Sequence, residues 1–298
     1  AAFGHEAHFI SAVPANPLGE AALGTLRYYG VHTDRCLKID GARLGTYFLE
    51  AGASQRASTV LYDRAQSAIA EIAADKFDWP DLLAGYDAFH TTGITPALSA
   101  ACAQSTLTAL RTAKDMGLYT SFDLNYRRKL WSPEQARKTV EPLLEYVDLV
   151  IGNEEDAKDV LGIAADKTDI HGGRISHEAY EKVAREIQRR YDSLAVAITL
   201  RESESASINH WSAALLADDK FHLSRRYSMH VVDRVGAGDS FCGGLLAALL
   251  EQQPPQQALE FAVAASCLKH SIPGDFNKVT RAEVTRLCGG DASGRVVR

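Results

Sequence analysis

Strand-like and helix-like segments alternate along most of this chain, and that alternation constrains the fold more than any other feature. "AFHTTG" (88–93) precedes a helical pattern that opens at Thr95-Pro96 and runs to Gly117. "YTSFDLN" (119–125) precedes a helix whose "SPEQ" at 132–135 is a Ser-x-x-Gln capping box with proline at the first helical position. "DLVIGN" (148–153) leads into "EEDAKDVLG", and a helix near 177–191 leads into "SLAVAITL" (193–200). Two more strand-like runs, near 206–216 and 220–229, come before a mostly helical end: 239–252, 254–272, and a helix from Thr280 with a capping box to Glu283. Repeated βα units with apolar strands imply an α/β fold, a doubly wound, mainly parallel sheet with helices on both faces.

The first quarter breaks the rhythm. "HFISAV" (8–13) reads as a strand, and "NPLGEAALGTLRYYG" as a helix capped by Asn16, opened by Pro17 and stopped at Gly30. Between 35 and 64, "RCLKI", "TYFLEA" and "STVLYDR" are three β-like runs with no helix between them. They are expected to form a small β-sheet lid inserted in a single domain spanning 1–298. The opening "AAFGHEAHFISAV" has neither Met nor a basic leader and does not read as a signal peptide. A further segment is expected to precede Ala1.

Charge and cysteines narrow the class. A formal net charge of −6 provides no global basic field for nucleic acid or an anionic membrane, so neither is expected as a partner. An anionic substrate would need a local cluster of Arg or Lys. Five scattered cysteines without a C-x-x-C read as reduced thiols and a cytoplasmic location, not as a disulfide framework or zinc site. No apolar run approaches the length of a membrane span.

In doubly wound folds ligands bind beyond the carboxyl ends of the strands. Four stretches stand there: 125–128 (Asn-Tyr-Arg-Arg), 152–156 (Gly-Asn-Glu-Glu-Asp), 199–201 (Thr-Leu-Arg) and the turn 236–239 (Gly-Ala-Gly-Asp). A helix beginning at or just after Asp239 would leave unpaired N–H groups at its start, and two glycines would let an anion approach them. Alternatively, Asp239 is an N-cap on an ordinary turn. A dinucleotide fingerprint fails because Phe241 stands where glycine is needed. A P-loop fails because Gly243-Gly244 lead into Leu245. Ser240 as an esterase nucleophile fails because the Asp-x-x-His stretches at 87–90 and 219–222 both precede it, the wrong order for that family, and it reads as a first-turn helix residue.

"DLNYRRKLW" delivers Arg127 and Arg128 from a strand end, either as a solvated basic turn or to grip a carboxylate with a guanidinium fork. In "STVLYDR", period-two alternation puts Val60, Tyr62 and Arg64 on one face, with Tyr47 on the neighbouring run. The acids of "NEED" suit a helix N-terminus through its dipole, or could organise Mg²⁺ through water.

Together these residues resemble the ribokinase-like (PfkB) carbohydrate kinases. "DRVGAGDSF" resembles their C-terminal signature, and "LGTYFLE", "VLYDR", "FHTTGITPALS", "DLNYRRKLW", "NEED" and "AASCLKHSIPGDF" follow in family order, most like the 2-keto-3-deoxygluconate kinase branch. The resemblance implies ATP as donor with Mg²⁺ on its phosphates, and phosphorylation of the 6-hydroxyl of 2-keto-3-deoxygluconate. It implies that Asp239 is the catalytic base and that Gly236, Ala237 and Gly238 supply an anion hole. Tyr47, Tyr62, Arg64, Ile94, Arg127 and Asp275 would hold the sugar acid. Asn153, Thr199, Arg201, Gly236 and Gly238 would meet the nucleotide, and Asn153 with Asp156 would help organise Mg²⁺. Asp156 replaces the family's glutamate, and "TLRESESAS" lacks the usual Gly-x-x-Gly after its strand. A kinase for another sugar (fructose or a nucleoside) and a non-catalytic sugar- or nucleotide-binding regulator are the alternatives. A homo-oligomer paired through apolar lid positions Phe48, Leu49 and Leu61 is also expected.

Overall fold

A computed structural model describes residues 1–164 and 177–291. The N-terminal part forms two small parallel pairs: β1 (Ala7–His8) with β3 (Val31–His32), and β2 (Ala12–Pro14) with β4 (Leu37–Ile39). "HFISAV" is thus two strands interrupted at 9–11. The helix Pro17–Tyr28 between them starts as its sequence dictates: the Asn16 side chain accepts from the N–H groups of Leu18 and Gly19, and proline occupies the first turn.

β5 (Thr46–Glu50) and β6 (Thr59–Asp63) form an antiparallel hairpin, a two-stranded sheet of its own. Of the three runs expected in the lid, "RCLKI" belongs elsewhere, because β4 pairs with β2. Tyr47 stands opposite Tyr62 and Leu49 opposite Val60, while Phe48 and Leu61 face each other on the other side.

The main sheet holds β7 (Ala88–Thr92), β8 (Tyr119–Asp123), β9 (Leu149–Asn153), β10 (Ala195–Ser203), β11 (Ile208–Ala217), β12 (Lys220–Leu223) and β13 (Tyr227–His230). The order is β12-β11-β10-β9-β8-β7, with β13 also on β11. β7 to β10 run parallel, as their connections through helices require; β10 reaches β11 through a short hairpin, so β11, β12 and β13 pair antiparallel. The sheet is therefore mixed, with its parallel half where the helical crossovers are.

Alternation assigns the two faces. Leu149, Ile151, Ala197, Ala213 and Leu215 pack under the helices Ala237–Leu250 and Pro255–Lys269. Val150, Val196, Ile198 and Leu216 pack under Pro133–Leu144, Glu154–Leu161 and His177–Tyr191. The capping boxes at Ser132 and Thr280 are both formed. The helix expected from Thr95 to Gly117 is two, Ile94–Leu98 and Ala100–Asp115, because Ser99 turns extended and caps the second through the Cys102 N–H. Among the described residues, no helix is long and apolar enough to cross a membrane.

Candidate active site

The carboxyl ends of β8, β9 and β10, the turn after β13 and the lid hairpin enclose one cleft of about 1190 Å³. Every residue expected to meet sugar, nucleotide or metal lines it: Tyr47, Tyr62, Arg64, Ile94, Arg127, Asn153, Asp156, Thr199, Arg201, Gly236, Ala237, Gly238, Asp239 and Asp275.

The turn after β13 is held by its own sequence. Asp233 accepts from the N–H groups of Val235 (3.0 Å) and Gly274 (2.9 Å), fastening the turn to the loop that carries Asp275. Gly236 is the helix N-cap in the left-handed region, φ +74°, and a Cβ there would lie 2.1 Å from the Asp275 carbonyl oxygen, so only glycine fits. The helix begins at Ala237, two residues before the expected start. Asp239 is therefore inside the first turn and is not the N-cap. The cap provides no side-chain acceptor; the Ala237 N–H donates weakly to the Arg234 carbonyl at 3.4 Å, and Gly236, Ala237 and Gly238 line the cleft at the start of the helix.

Asp239 can be reached from the cleft but is walled in closely. Desolvation raises its pKa above the usual carboxylate range; Arg127 opposes that shift, and Asp275 adds to it. Arg127 is delivered by the end of β8, where Asn125 takes a positive φ of 39° and turns the chain into the cleft. Two more acids stand nearby. Burial, then the charges of Asp156 and Asp239, push Asp123 up to about 7. Burial pushes Asp156 up to about 6, although the N–H groups of Asn153 (3.3 Å) and Tyr126 (3.2 Å) donate to it. Arg127 lowers all three, and it donates to the Tyr126 carbonyl at 3.0 Å.

At the lid end, Tyr47 donates to the Asp275 carboxylate, and its ring lies 6.3 Å from that of Tyr62. The Arg64 guanidinium sits 4.2 Å from the Tyr62 ring centre. Burial lowers the Arg64 pKa, and the like charge of Arg127 lowers it further against the opposing influence of Tyr62. Neither arginine has a carboxylate within ion-pair distance among the described residues. Two guanidiniums without a direct carboxylate contact in a half-buried site can receive an anion, although Asp123, Asp156 and Asp239 at longer range offset part of the Arg127 charge. Ile94 adds an apolar wall.

On the opposite side, Asn153 and Asp156 complete a reciprocal capping box: the Asn153 side chain accepts from the Asp156 N–H at 2.8 Å. Both Asp156 oxygens are thus engaged by backbone. Thr199 Oγ1 donates weakly to the Gly152 carbonyl at 3.4 Å, and Arg201 is exposed on the cleft wall. The donors fit a hard cation carried by phosphates: Glu155 and Asp156 line the cleft, and Asp156, already bonded, would reach such an ion through water.

Sequence reasoning passed over three residues. Asp123 ends β8 two positions before the cluster noticed at 125–128, and a carboxylate closing an apolar strand is the signal that marks it. Arg234 also lines the cleft and donates to the Ala206 carbonyl at 2.8 Å. Lys269 is 0% exposed and donates to the Ile272 carbonyl at 3.0 Å, with Asp233, Asp239 and Asp275 close enough to favour its charge against burial. At the end of a helix it looks like any C-terminal cation, so sequence held no sign of its place beneath Gly236.

A doubly wound sheet whose ligand edge presents a glycine-opened helix N-terminus, a carboxylate beside it and facing arginines defines a phosphotransferase acting on a hydroxyl group. The chain belongs to the pfkB family of carbohydrate kinases, whose profile matches residues 1–279. It is 34% identical over 290 residues to a 2-dehydro-3-deoxygalactonokinase of Haloferax volcanii, covering 97% of this chain and 84% of that protein. It is 29% identical to a 2-dehydro-3-deoxygluconokinase of Thermoproteus tenax, covering 91% of this chain and 76% of that protein. The crystal structure of 2-dehydro-3-deoxygluconokinase from Thermotoga maritima superposes with a TM-score of 0.92 at 48% identity, over 97% of this chain and 87% of that one.

Proposed function

We propose that this chain transfers the γ-phosphoryl group of ATP to the 6-hydroxyl of 2-keto-3-deoxygluconate (2-dehydro-3-deoxygluconate), giving the 6-phosphate. The observation that carries the reading is the pair Arg64 and Arg127, neither in ion-pair contact with a carboxylate among the described residues, in the same cleft as the Gly236–Asp239 turn. A neutral ketose gives those charges nothing to bind; a sugar carboxylate does. The 48% identity to the Thermotoga enzyme supports the same substrate.

In this reading Arg64 and Arg127 hold the carboxylate, with Tyr47 and Tyr62 against the sugar chain. Asp275, engaged by Tyr47, couples closure of the lid hairpin to the loop beside Gly236. Asp239 accepts a hydrogen bond from the 6-hydroxyl and takes its proton late, as the oxygen–phosphorus bond forms and the bond to ADP breaks. An ionised aspartate suffices, because phosphoryl transfer depends mainly on alignment and charge stabilisation. The first-turn N–H groups and the buried Lys269 cation stabilise charge on the moving group. Asn153, Thr199 and Arg201 stand on the nucleotide side, and Mg²⁺, when bound with ATP, would neutralise phosphate charge.

The product distinguishes this reading. A phosphate on the primary C6 oxygen couples to two protons in a ³¹P spectrum, whereas one on a secondary hydroxyl couples to one. Phosphorylation elsewhere, or none with the sugar acid, overturns it; the C4 epimer, 2-keto-3-deoxygalactonate, is the competing substrate to run beside it. The lid's outer face, with Phe48 61% and Leu61 66% exposed opposite one another, supports a homo-oligomer paired through that face. Phe48→Asp is expected to reduce the sedimenting mass to the monomer; an unchanged mass contradicts the pairing. Five free thiols support a cytoplasmic location.

A further inference from the structure

Beyond the cleft, β1 and β3 bring two imidazoles and two carboxylates to one patch. His8 and His32 are register partners across the parallel pair, and their rings stack at 4.4 Å with 13° between planes. One donor atom each from Glu6, His8 and His32 fall within 4.8 Å of one another. Glu6 Oε1 lies 2.9 Å from His8 Nε2, and Asp34 Oδ1 lies 3.3 Å from His8 Nδ1 on the other side of the ring. Tyr86 packs edge-on against that ring at 4.9 Å, leaving the His8 side chain 13% exposed, whereas Glu6, His32 and Asp34 open to solvent.

A doubly protonated His8 would offer one N–H to each carboxylate; the neutral ring is the one in conflict. A neutral imidazole carries one proton and can donate to one carboxylate only; its second nitrogen then turns a lone pair toward the other anion. A cation between Nε2 and Glu6 removes that conflict. Asp34 meanwhile stands where a metal-bound histidine usually finds its outer carboxylate: with the proton on Nδ1 facing Asp34, the Nε2 lone pair is free. Nδ1 is buried without a well-aligned hydrogen-bond partner among the described residues, so Asp34, which also meets Arg35 Nε at 3.5 Å, must shift to accept from it.

We propose that Glu6, His8 and His32 form a binding site for Zn²⁺, with Asp34 as the residue that positions His8. Two imidazoles and one carboxylate suit a borderline transition ion and not Mg²⁺, which prefers oxygen donors. Tetrahedral zinc with bonds near 2.0–2.2 Å needs donors about 3.3 Å apart, so a triad spread over 4.8 Å must close by up to about 1.5 Å. His32 must also leave its stack on His8, because nearly parallel ring planes aim their in-plane lone pairs side by side; Glu6 and His32 are exposed and can turn without disturbing the core, and water fills the fourth position. The ion clips together two strands that pair through only two residues each.

Calorimetric titration of the whole chain with ZnCl₂, without nucleotide, tests the site, with MgCl₂ as the hard-cation comparison. Wild type is expected to bind one equivalent of Zn²⁺ and to melt at a higher temperature when loaded. His32→Ala, at an exposed position, is expected to weaken zinc binding by about tenfold or more, Glu6→Gln likewise, and Asp34→Asn by about tenfold. His177→Ala, at an exposed histidine elsewhere, is expected to bind as wild type. Absence of stoichiometric binding overturns the proposal, as does equal affinity in wild type and His32→Ala. Circular dichroism of the unloaded variants shows whether each is folded.

Discussion

Gly238→Ala separates the local fold of the turn from its chemistry. Gly238 is the second residue of the helix Ala237–Leu250; its φ is not in the left-handed region, and a Cβ there meets nothing within 4 Å. Alanine is the better helix former, so stability should hold or rise by up to about 1 kcal/mol, a shift of a few degrees at most in Tm. That open space is cleft, and the new methyl would stand where a phosphoryl oxygen approaches the first-turn N–H groups. Displacing that oxygen by roughly 1 Å, or losing one such donor, costs about a hundredfold in kcat, near 2.7 kcal/mol. Gly236→Ala is the contrasting variant: its Cβ would lie 2.1 Å from the Asp275 carbonyl oxygen, where real Cβ contacts stay beyond 3.0 Å. The backbone must move, at a left-handed position, so both Tm and activity should fall. Differential scanning fluorimetry and an ADP-coupled assay read the two effects apart. Gly238→Ala with undiminished Tm and kcat within threefold of wild type would refute the anion hole.

Asp239→Asn is expected to lose several orders of magnitude in kcat while binding ATP nearly as wild type; near-normal turnover would remove the base assignment. Arg64→Met should act on binding, raising KM for the sugar acid about 10- to 100-fold, as for loss of a charge-assisted hydrogen bond, with KM for ATP little changed. Arg127→Met should also move the acid limb of the pH–rate profile upward, because Arg127 holds the Asp239 pKa down; a stationary limb contradicts that role. Asp123, raised to about 7, holds its proton in the folded chain at pH values where the unfolded chain has lost it. Its contribution therefore lowers stability as pH rises from about 4 to about 7, by an amount on the order of a few kcal/mol. Asp123→Asn should raise Tm near neutral pH and leave it unchanged near pH 4; a pH-independent effect would show that the carboxyl is not desolvated.

The legible parts of this chain are those governed by local rules. The βα rhythm, Asn16 with Pro17, and the capping boxes at Ser132 and Thr280 depend on neighbours in sequence, and the structure has them where the sequence puts them. Pairing partners are decided at longer range: "RCLKI" looks as β-like as the lid runs, and only the presence of β2 beside it decides where it goes. The start of the helix at Ala237 was misjudged because Asp239 has the composition of a cap, whereas the left-handed Gly236 fulfils that function. Within the site, strand-end position marked Arg127 and Asn153, and period-two alternation marked Tyr62 and Arg64. Lys269 and the desolvation of Asp123 arise from packing of distant elements, which no local pattern encodes.

The assignment of a sugar-acid kinase stands or falls on substrate choice. Measured as ADP released with saturating ATP and Mg²⁺, kcat/KM for 2-keto-3-deoxygluconate should exceed that for fructose by about a hundredfold or more, the discrimination expected when two half-buried guanidiniums are left without an anion by a neutral sugar. Equal efficiency with fructose, or no ADP released with the sugar acid, would contradict it.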